Sequence, residues 1–257
     1  MKDLIIKRYE NNEQMSVKAA KIVKEQIVEK PNSVLGLPTG SSPLGMYDQL
    51  IAMYKRGEID FSSVKTFNLD EYCGLPTDHP QSYHKFMDKN FFRHVNIKPE
   101  NIHMPKPDKD NQQSGCEEYE QLIRQAGGID LQILGIGRNG HIGFNEPGTS
   151  FSSRTHVIQL HEETRQANAR FFNTIEEVPK AAVTMGIKTI MRAQKILLLI
   201  SGEAKQEALY KLVQSSVSEA FPASALQLHP DVTVLTEKSS TQMINESFEW
   251  TNNELVV

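Results

Sequence analysis

The sequence predicts an α/β protein: a mostly parallel open sheet with helices on both faces, a Rossmann-like three-layer sandwich. Three observations predict it. Short, mostly apolar runs recur along the 257-residue chain, and strands buried on both faces read this way. Between them lie longer stretches, several with the three-to-four-residue apolar period of a helix. The segments with unusual chemistry follow the C-terminal ends of the apolar runs, the edge at which open parallel sheets bind ligands.

Residues 4–7 make a short first strand. Met15, Ala19, Ile22, Val23 and Ile27 then fall on one face of a helix, opposite Lys, Glu and Gln. The run 34–37 lies between Pro31-Asn32 and Pro38-Thr39-Gly40 and reads as a buried strand. Ser42 suits a helix cap and Pro43 a first helical position, so a helix is expected from there to about Tyr54. Residues 64–69 form the next strand and end at Asp70-Glu71. Residues 131–136 follow, ending in Gly137-Arg138-Asn139-Gly140-His141, and 195–200, ending in Ser201-Gly202. A helix over 204–213 and a strand over 231–235 complete the alternation. The polar stretch 105–115 reads as a surface loop, there is no internal repeat, and residues 1–257 are expected to form one domain.

Bulk properties narrow the function. The chain is 39% hydrophobic and 23% charged with a net charge of −4, so no strong field draws it to nucleic acid or an anionic membrane. Cys73 and Cys116 lack metal-ligand or disulfide-framework spacing. The first ten residues lack the apolar stretch of a signal peptide, and 196–200 is too short to span a bilayer. A cytoplasmic protein is expected.

Four constellations could carry chemistry. Thr39, Gly40, Ser41 and Ser42 form a strand-to-helix turn that aims backbone N–H groups, hydroxyls and a helix N-terminus at one spot, a setting for phosphate. It matches neither nucleotide-binding glycine pattern, and the same turn is equally an ordinary connection. Asp70 and Glu71 close an apolar strand, and adjacent side chains on extended backbone point opposite ways, so one of them faces a given pocket. A carboxylate there is desolvated and becomes a better base, although solvated turn carboxylates are the commoner case. The stretch 135–143 holds four glycines in nine residues and carries His141, with Asn139 two residues before it and Glu146 five after. An imidazole held by an amide or carboxylate is a proton shuttle near neutral pH. Last come scattered cations, Arg154, Arg165, Arg170 and Lys205, of which Lys205 stands nearest the ligand-binding edge.

Together these segments resemble the glucosamine-6-phosphate deaminase family. The matching pieces are 35–43 (L-G-L-P-T-G-S-S-P), 67–75 (F-N-L-D-E-Y-C-G-L) and 134–147 (L-G-I-G-R-N-G-H-I-G-F-N-E-P), with shorter ones at 152–155, 164–172, 178–181 and 226–230. They run in order over nearly the whole chain. The resemblance implies a small-molecule substrate, glucosamine 6-phosphate, converted with water to fructose 6-phosphate and ammonia. It implies no cofactor and no metal. Asp70 would take the C2 proton and return it at C1, and His141, held by Glu146 and Asn139, would open the ring. Thr39, Gly40, Ser41, Ser42, Gly140, Arg170 and Lys205 would hold the substrate, the 40–42 turn with Arg170 and Lys205 forming the phosphate clamp, under a segment at 165–172 that closes over the sugar. Family members with Asp at position 139 differ from this chain, whose amide brings no charge. Some relatives are hexamers activated by N-acetylglucosamine 6-phosphate through basic residues where this chain has His156 and Ile158, so weak or absent activation is expected here. A monomer or homo-oligomer is open. The alternative reading is a 6-phosphogluconolactonase-like sugar-lactone hydrolase on the same fold, whose turn after the Gly-His pair continues toward T-A-S-L-F-P, absent here. A non-catalytic sugar-phosphate sensor would usually lack the Asp70 base.

Overall fold

The fold comes from a computed structural model that describes residues 4–106, 112–160, 165–166, 169, 172, 174–245, 250–251 and 253–256. Its main sheet has eight strands: β1 (Ile5–Tyr9), β2 (Val34–Leu37), β3 (Lys65–Asn68), β5 (Ile102–His103), β6 (Leu131–Gly135), β9 (Lys195–Ile200), β10 (Val232–Glu237) and β11 (Glu254–Val256). They lie in the order β11-β1-β10-β9-β6-β2-β3-β5. All neighbours are parallel except the edge pair β1 and β11. The parallel sheet read from the apolar runs is therefore present.

The centre explains why those runs are mostly apolar. Along β9, Leu197 and Leu199 face one core with Leu35, Leu37, Ile133 and Leu235, while Ile196, Leu198 and Ile200 face the other with Leu134, Ile136 and Val234. Removing one such leucine side chain costs about 2–5 kcal/mol. Helices α1 (Asn12–Glu29) and α2 (Leu44–Lys55) cover the first face with Met15, Ala19, Val23, Met46 and Leu50. Helix α1 starts three residues ahead of Met15 because the Asn11 side chain accepts the Gln14 N–H. Helices α4 (Gln112–Gln125), α5 (Ile187–Ile190) and α6 (Gln206–Gln214) cover the second, while α3 (Tyr83–Asn90) packs Met87 into the first core; a short α7 (Gln242–Asn245) follows β10. Gly36 of β2 has no room for a side chain because Gln132 fills that space.

Four local expectations change. The 64–69 strand stops at Asn68, and after Leu69 the chain enters β4 (Asp70–Tyr72) of a second, three-stranded sheet with β8 (Ala181–Thr184) and β7 (His156–Gln159), all antiparallel. Asp70 thus opens a strand instead of closing one. Helix α2 begins at Leu44, with Pro43 at the cap position and no side-chain cap, so Ser42 does not cap it. Part of the 105–115 loop is helical, since α4 starts at Gln112. A 3₁₀ turn over Glu203–Lys205 precedes α6, so Lys205 sits at its cap. None of the helices among the described residues is long and apolar enough to cross a membrane.

The strand order places the site. From β2 the chain moves outward to β3 and β5; later it returns to β6 on the other side of β2 and proceeds to β9 and β10. This reversal leaves a crevice at the C-terminal ends of β2 and β6, where ligands bind in open α/β sheets.

Candidate active site

A cavity of about 250 Å³ opens at that crevice. Thr39, Gly40, Ser41, Ser42, Asp70, Gly137, His141 and Lys205 are among the residues that line it. Four segments far apart in sequence therefore meet at one place.

The 39–43 turn leaves β2 with Gly40 at φ +93°, a left-handed conformation that favours glycine. Tyr47 Oη, buried beneath it, donates to the Pro38 carbonyl at 2.6 Å and fixes the turn. No side chain caps α2; its Leu44 N–H bonds to the Ser41 carbonyl at 3.3 Å, and the helix dipole at this end favours an anion. Lys205 faces this end. Burial, and secondarily the charge of Arg138, hold its ammonium below the usual lysine range, a bias that a bound anion reverses. Arg138 was not among the expected site residues; its position inside the glycine-rich turn was the available signal.

Asp70 is 7% exposed. Burial, then the neighbouring charge of Glu71, push its carboxyl up to about 8. The pair diverges as extended backbone requires. Asp70 turns to the cavity, while Glu71 accepts N–H bonds from Tyr72 at 2.8 Å, Tyr83 at 2.9 Å and His84 at 2.8 Å. Glu71 thereby anchors the first turn of α3, and burial outweighs these donors in raising its own carboxyl. This anchorage sets Tyr83 against the cavity, stacked with Phe144 at 6.1 Å and beside Tyr72 at 4.7 Å. Tyr83, Phe144 and Gly143 were not foreseen. They come from a helix start and a turn whose aromatic and glycine residues look ordinary in sequence.

The glycine-rich turn is built to present His141. Its imidazole lies flat on Gly137, where any side chain would collide with the ring. Gly137 N–H donates to the His141 carbonyl at 2.8 Å, and Gly140 N–H to Gly137 at 3.1 Å. Asn139 Nδ2 donates to Glu146 Oε2 at 2.7 Å. Its Oδ1 accepts the His141 backbone N–H at 3.2 Å and stands 2.8 Å from His141 Nδ1. With its amide donor spent on Glu146, Asn139 offers Nδ1 only an acceptor. Nδ1 therefore carries the proton and Nε2 is the exchangeable nitrogen. Glu146 Oε1, 3.5 Å from Nδ1, completes an ion pair when the ring is protonated. Gly143 brings this turn to Asp70: a Cβ there would lie 3.6 Å from Asp70 Oδ2. Gly140 supports the turn from behind, at φ +86° with the Phe221 ring against it, and does not line the cavity.

The remaining cations divide. Arg165 donates to the Ile175 carbonyl at 2.9 Å, and Arg154 lies near buried Glu120 instead of the cavity. Arg170, expected in the phosphate clamp, lies outside the described residues. Among the described residues no three His, Cys, Asp or Glu side chains gather as metal ligands.

A buried carboxyl and a held imidazole share this cavity with a turn suited to an anion, at the switch point of a parallel sheet, as in an enzyme of the proton-transfer class. Residues 9–235 match the family described as glucosamine-6-phosphate isomerases/6-phosphogluconolactonase, and the chain belongs to it. It is similar, at 59% identity over 91% of its length and 92% of the relative's, to the glucosamine-6-phosphate deaminase of Thermoanaerobacter pseudethanolicus. A solved structure of a monomeric glucosamine-6-phosphate deaminase superposes with a TM-score of 0.89 at 52% identity, covering 93% of this chain and 98% of that one. The 6-phosphogluconolactonase of Thermotoga maritima shares the fold at a TM-score of 0.71 and 21% identity, covering 91% of this chain and 99% of that one.

Proposed function

We infer that this chain converts glucosamine 6-phosphate and water to fructose 6-phosphate and ammonia. The observation that carries the reading is the meeting of Asp70 and His141 in one cavity with the 39–42 turn and Lys205. The phosphate rests on the turn and Lys205. His141 Nε2 takes the proton of the C1 hydroxyl and delivers it to the ring oxygen, and the sugar opens to its aldehyde. Asp70, as carboxylate, takes the C2 proton, giving the enolamine. It returns that proton at C1, leaving an imine at C2. Water adds to the imine, and ammonia leaves with the C2 ketone in place. A positioned base contributes about 10²–10⁴-fold, and fixed donors around the enolamine contribute further. The raised Asp70 carboxyl suits this part, because a base near the working pH is both populated and strong enough. Glu146 and Asn139 hold the ring of His141 in place.

Arg170 joins the clamp on the strength of the family resemblance alone. Residues 1–257 act as one domain in the cytoplasm. Of monomer and homo-oligomer, the monomer is favoured by the monomeric relative, and sedimentation at working concentration tests it. The chemical test is ammonia release from glucosamine 6-phosphate in deuterium oxide. Ammonia together with fructose 6-phosphate is the expected result, with deuterium at C1 in proportion to how far the proton held by Asp70 exchanges with solvent before it returns. Hydrolysis of 6-phosphogluconolactone without ammonia release from the amino sugar would overturn the reading in favour of the lactone hydrolase.

A further inference from the structure

Behind the two walls that face the phosphate position runs a polar chain that joins them. One wall is α2, whose first turn includes Gly45. A side chain on Gly45 would collide with Ser16 Oγ of α1 and come within 3.4 Å of Asn12 Oδ1. Ser16 Oγ donates to Asn12 Oδ1 at 3.3 Å, and Asn12 Nδ2 donates to Ser201 Oγ at 2.8 Å. On the second wall Ser201 Oγ donates to Glu237 Oε1 at 2.5 Å, and the same oxygen accepts the Gly202 N–H at 2.8 Å. The Gly202 carbonyl in turn accepts the Lys205 N–H and the Ser240 hydroxyl, each at 3.0 Å. Of these residues, Lys205 alone lines the cavity.

We propose that Glu237 and Asn12 are positioning residues, which hold the Lys205 turn at a set distance from the 39–43 turn so that the phosphate clamp exists before substrate arrives. The proposal rests on the reading of those two turns as the phosphate site. Three facts favour it. Glu237 is a 9%-exposed carboxylate at the C-terminal end of β10, and its two bonds go to the turn that carries Lys205. Charge-assisted bonds of this kind are roughly twice as strong as neutral ones. Lys205 has the positive charge of Arg138 nearby, so the turn needs an external hold against repulsion while the site is empty. By charge alone, a carboxylate beside a phosphate site weakens binding; its placement is explained by the geometry it maintains. A preset clamp spares the ligand the cost of ordering it.

The sign of the effect separates the two roles. Steady-state constants for glucosamine 6-phosphate and competitive inhibition by inorganic phosphate would be measured for the natural chain, Glu237→Ala, Glu237→Gln, Asn12→Ala and Lys205→Met. Glu237→Ala is expected to raise KM and the phosphate inhibition constant about tenfold, a change of about 1.4 kcal/mol, with kcat within about twofold. Glu237→Gln keeps an acceptor oxygen and restores phosphate affinity. Asn12→Ala acts in the same direction, about threefold. Phosphate binding that is unchanged or tighter in Glu237→Ala overturns the proposal. If Glu237→Ala does not fold, an unchanged phosphate constant in Asn12→Ala does so. Lys205→Met tests the underlying site: if it leaves phosphate inhibition untouched, the reading of the phosphate site itself fails. A loss there without one in Glu237→Ala removes only the positioning role.

Discussion

Replacing Asp70 by asparagine should abolish catalysis and, above neutral pH, stabilise the protein. Burial and the charge of Glu71 move this carboxyl from 3.8 to about 8, a gap of about four units at about 1.4 kcal/mol each. The ceiling is thus on the order of 5 kcal/mol. In the unfolded chain the group ionises near pH 4. In the folded chain it stays protonated to near pH 8, so the folded state binds the extra proton throughout this window. Stability from this group is complete below about pH 4, is lost progressively as pH rises to about 8, and changes no further above that. Asparagine carries no such proton, but its buried amide lacks partners and costs about 1–3 kcal/mol. The variant should therefore match the natural chain near pH 5 and exceed it by about 2–4 kcal/mol at pH 9. For a chain of this size that is on the order of 10 °C in Tm. Thermal unfolding of both proteins from pH 5 to 9 at fixed ionic strength measures it, with ammonia release as the second readout. The turnover loss should reach at least about 10²-fold. A Tm difference that stays flat across this pH range would refute the argument, because Asp70 would then titrate as an ordinary carboxylate.

Three further outcomes follow from the same geometry. Glu71→Gln removes the negative neighbour, so the limb of kcat/KM that rises as Asp70 ionises should move to lower pH; a Gln N–H facing one of the three backbone donors should also cost about 1–3 kcal/mol of stability, read by urea denaturation. An unmoved limb would show that the Glu71 charge does not reach Asp70. Asn139→Asp places a carboxylate 2.8 Å from His141 Nδ1 and should shift the His141 limb upward, whereas an unchanged pH–rate profile would rule out control of the ring by position 139. Gly140→Ala forces a side chain into the Phe221 ring at φ +86°, so it should cost at least about 1–2 kcal/mol and lower activity by tilting the turn that presents His141; an unaltered unfolding midpoint would contradict this.

The sequence by itself determined the parallel sheet, since 34–37, 133–135 and 196–200 are apolar without alternation, as strands covered on both faces must be. It also determined the divergence of Asp70 and Glu71 and the grouping of Asn139, His141 and Glu146, because those relations are local and follow from backbone period and short spacing. Tertiary structure decided the rest. That Asp70 opens a strand of a second sheet depends on pairing with Thr184, more than a hundred residues away. That α2 starts without a side-chain cap, which Ser42 suggested but does not supply, was likewise set by the tertiary structure. The aromatic wall of Tyr72, Tyr83 and Phe144 arises because Glu71 anchors α3. The bonds of Asn12 and Glu237 to Ser201 span 189 and 36 residues. Such contacts leave no periodic trace in a sequence, since each is made by one polar atom whose partner is chosen only when the sheet brings distant turns to the same edge.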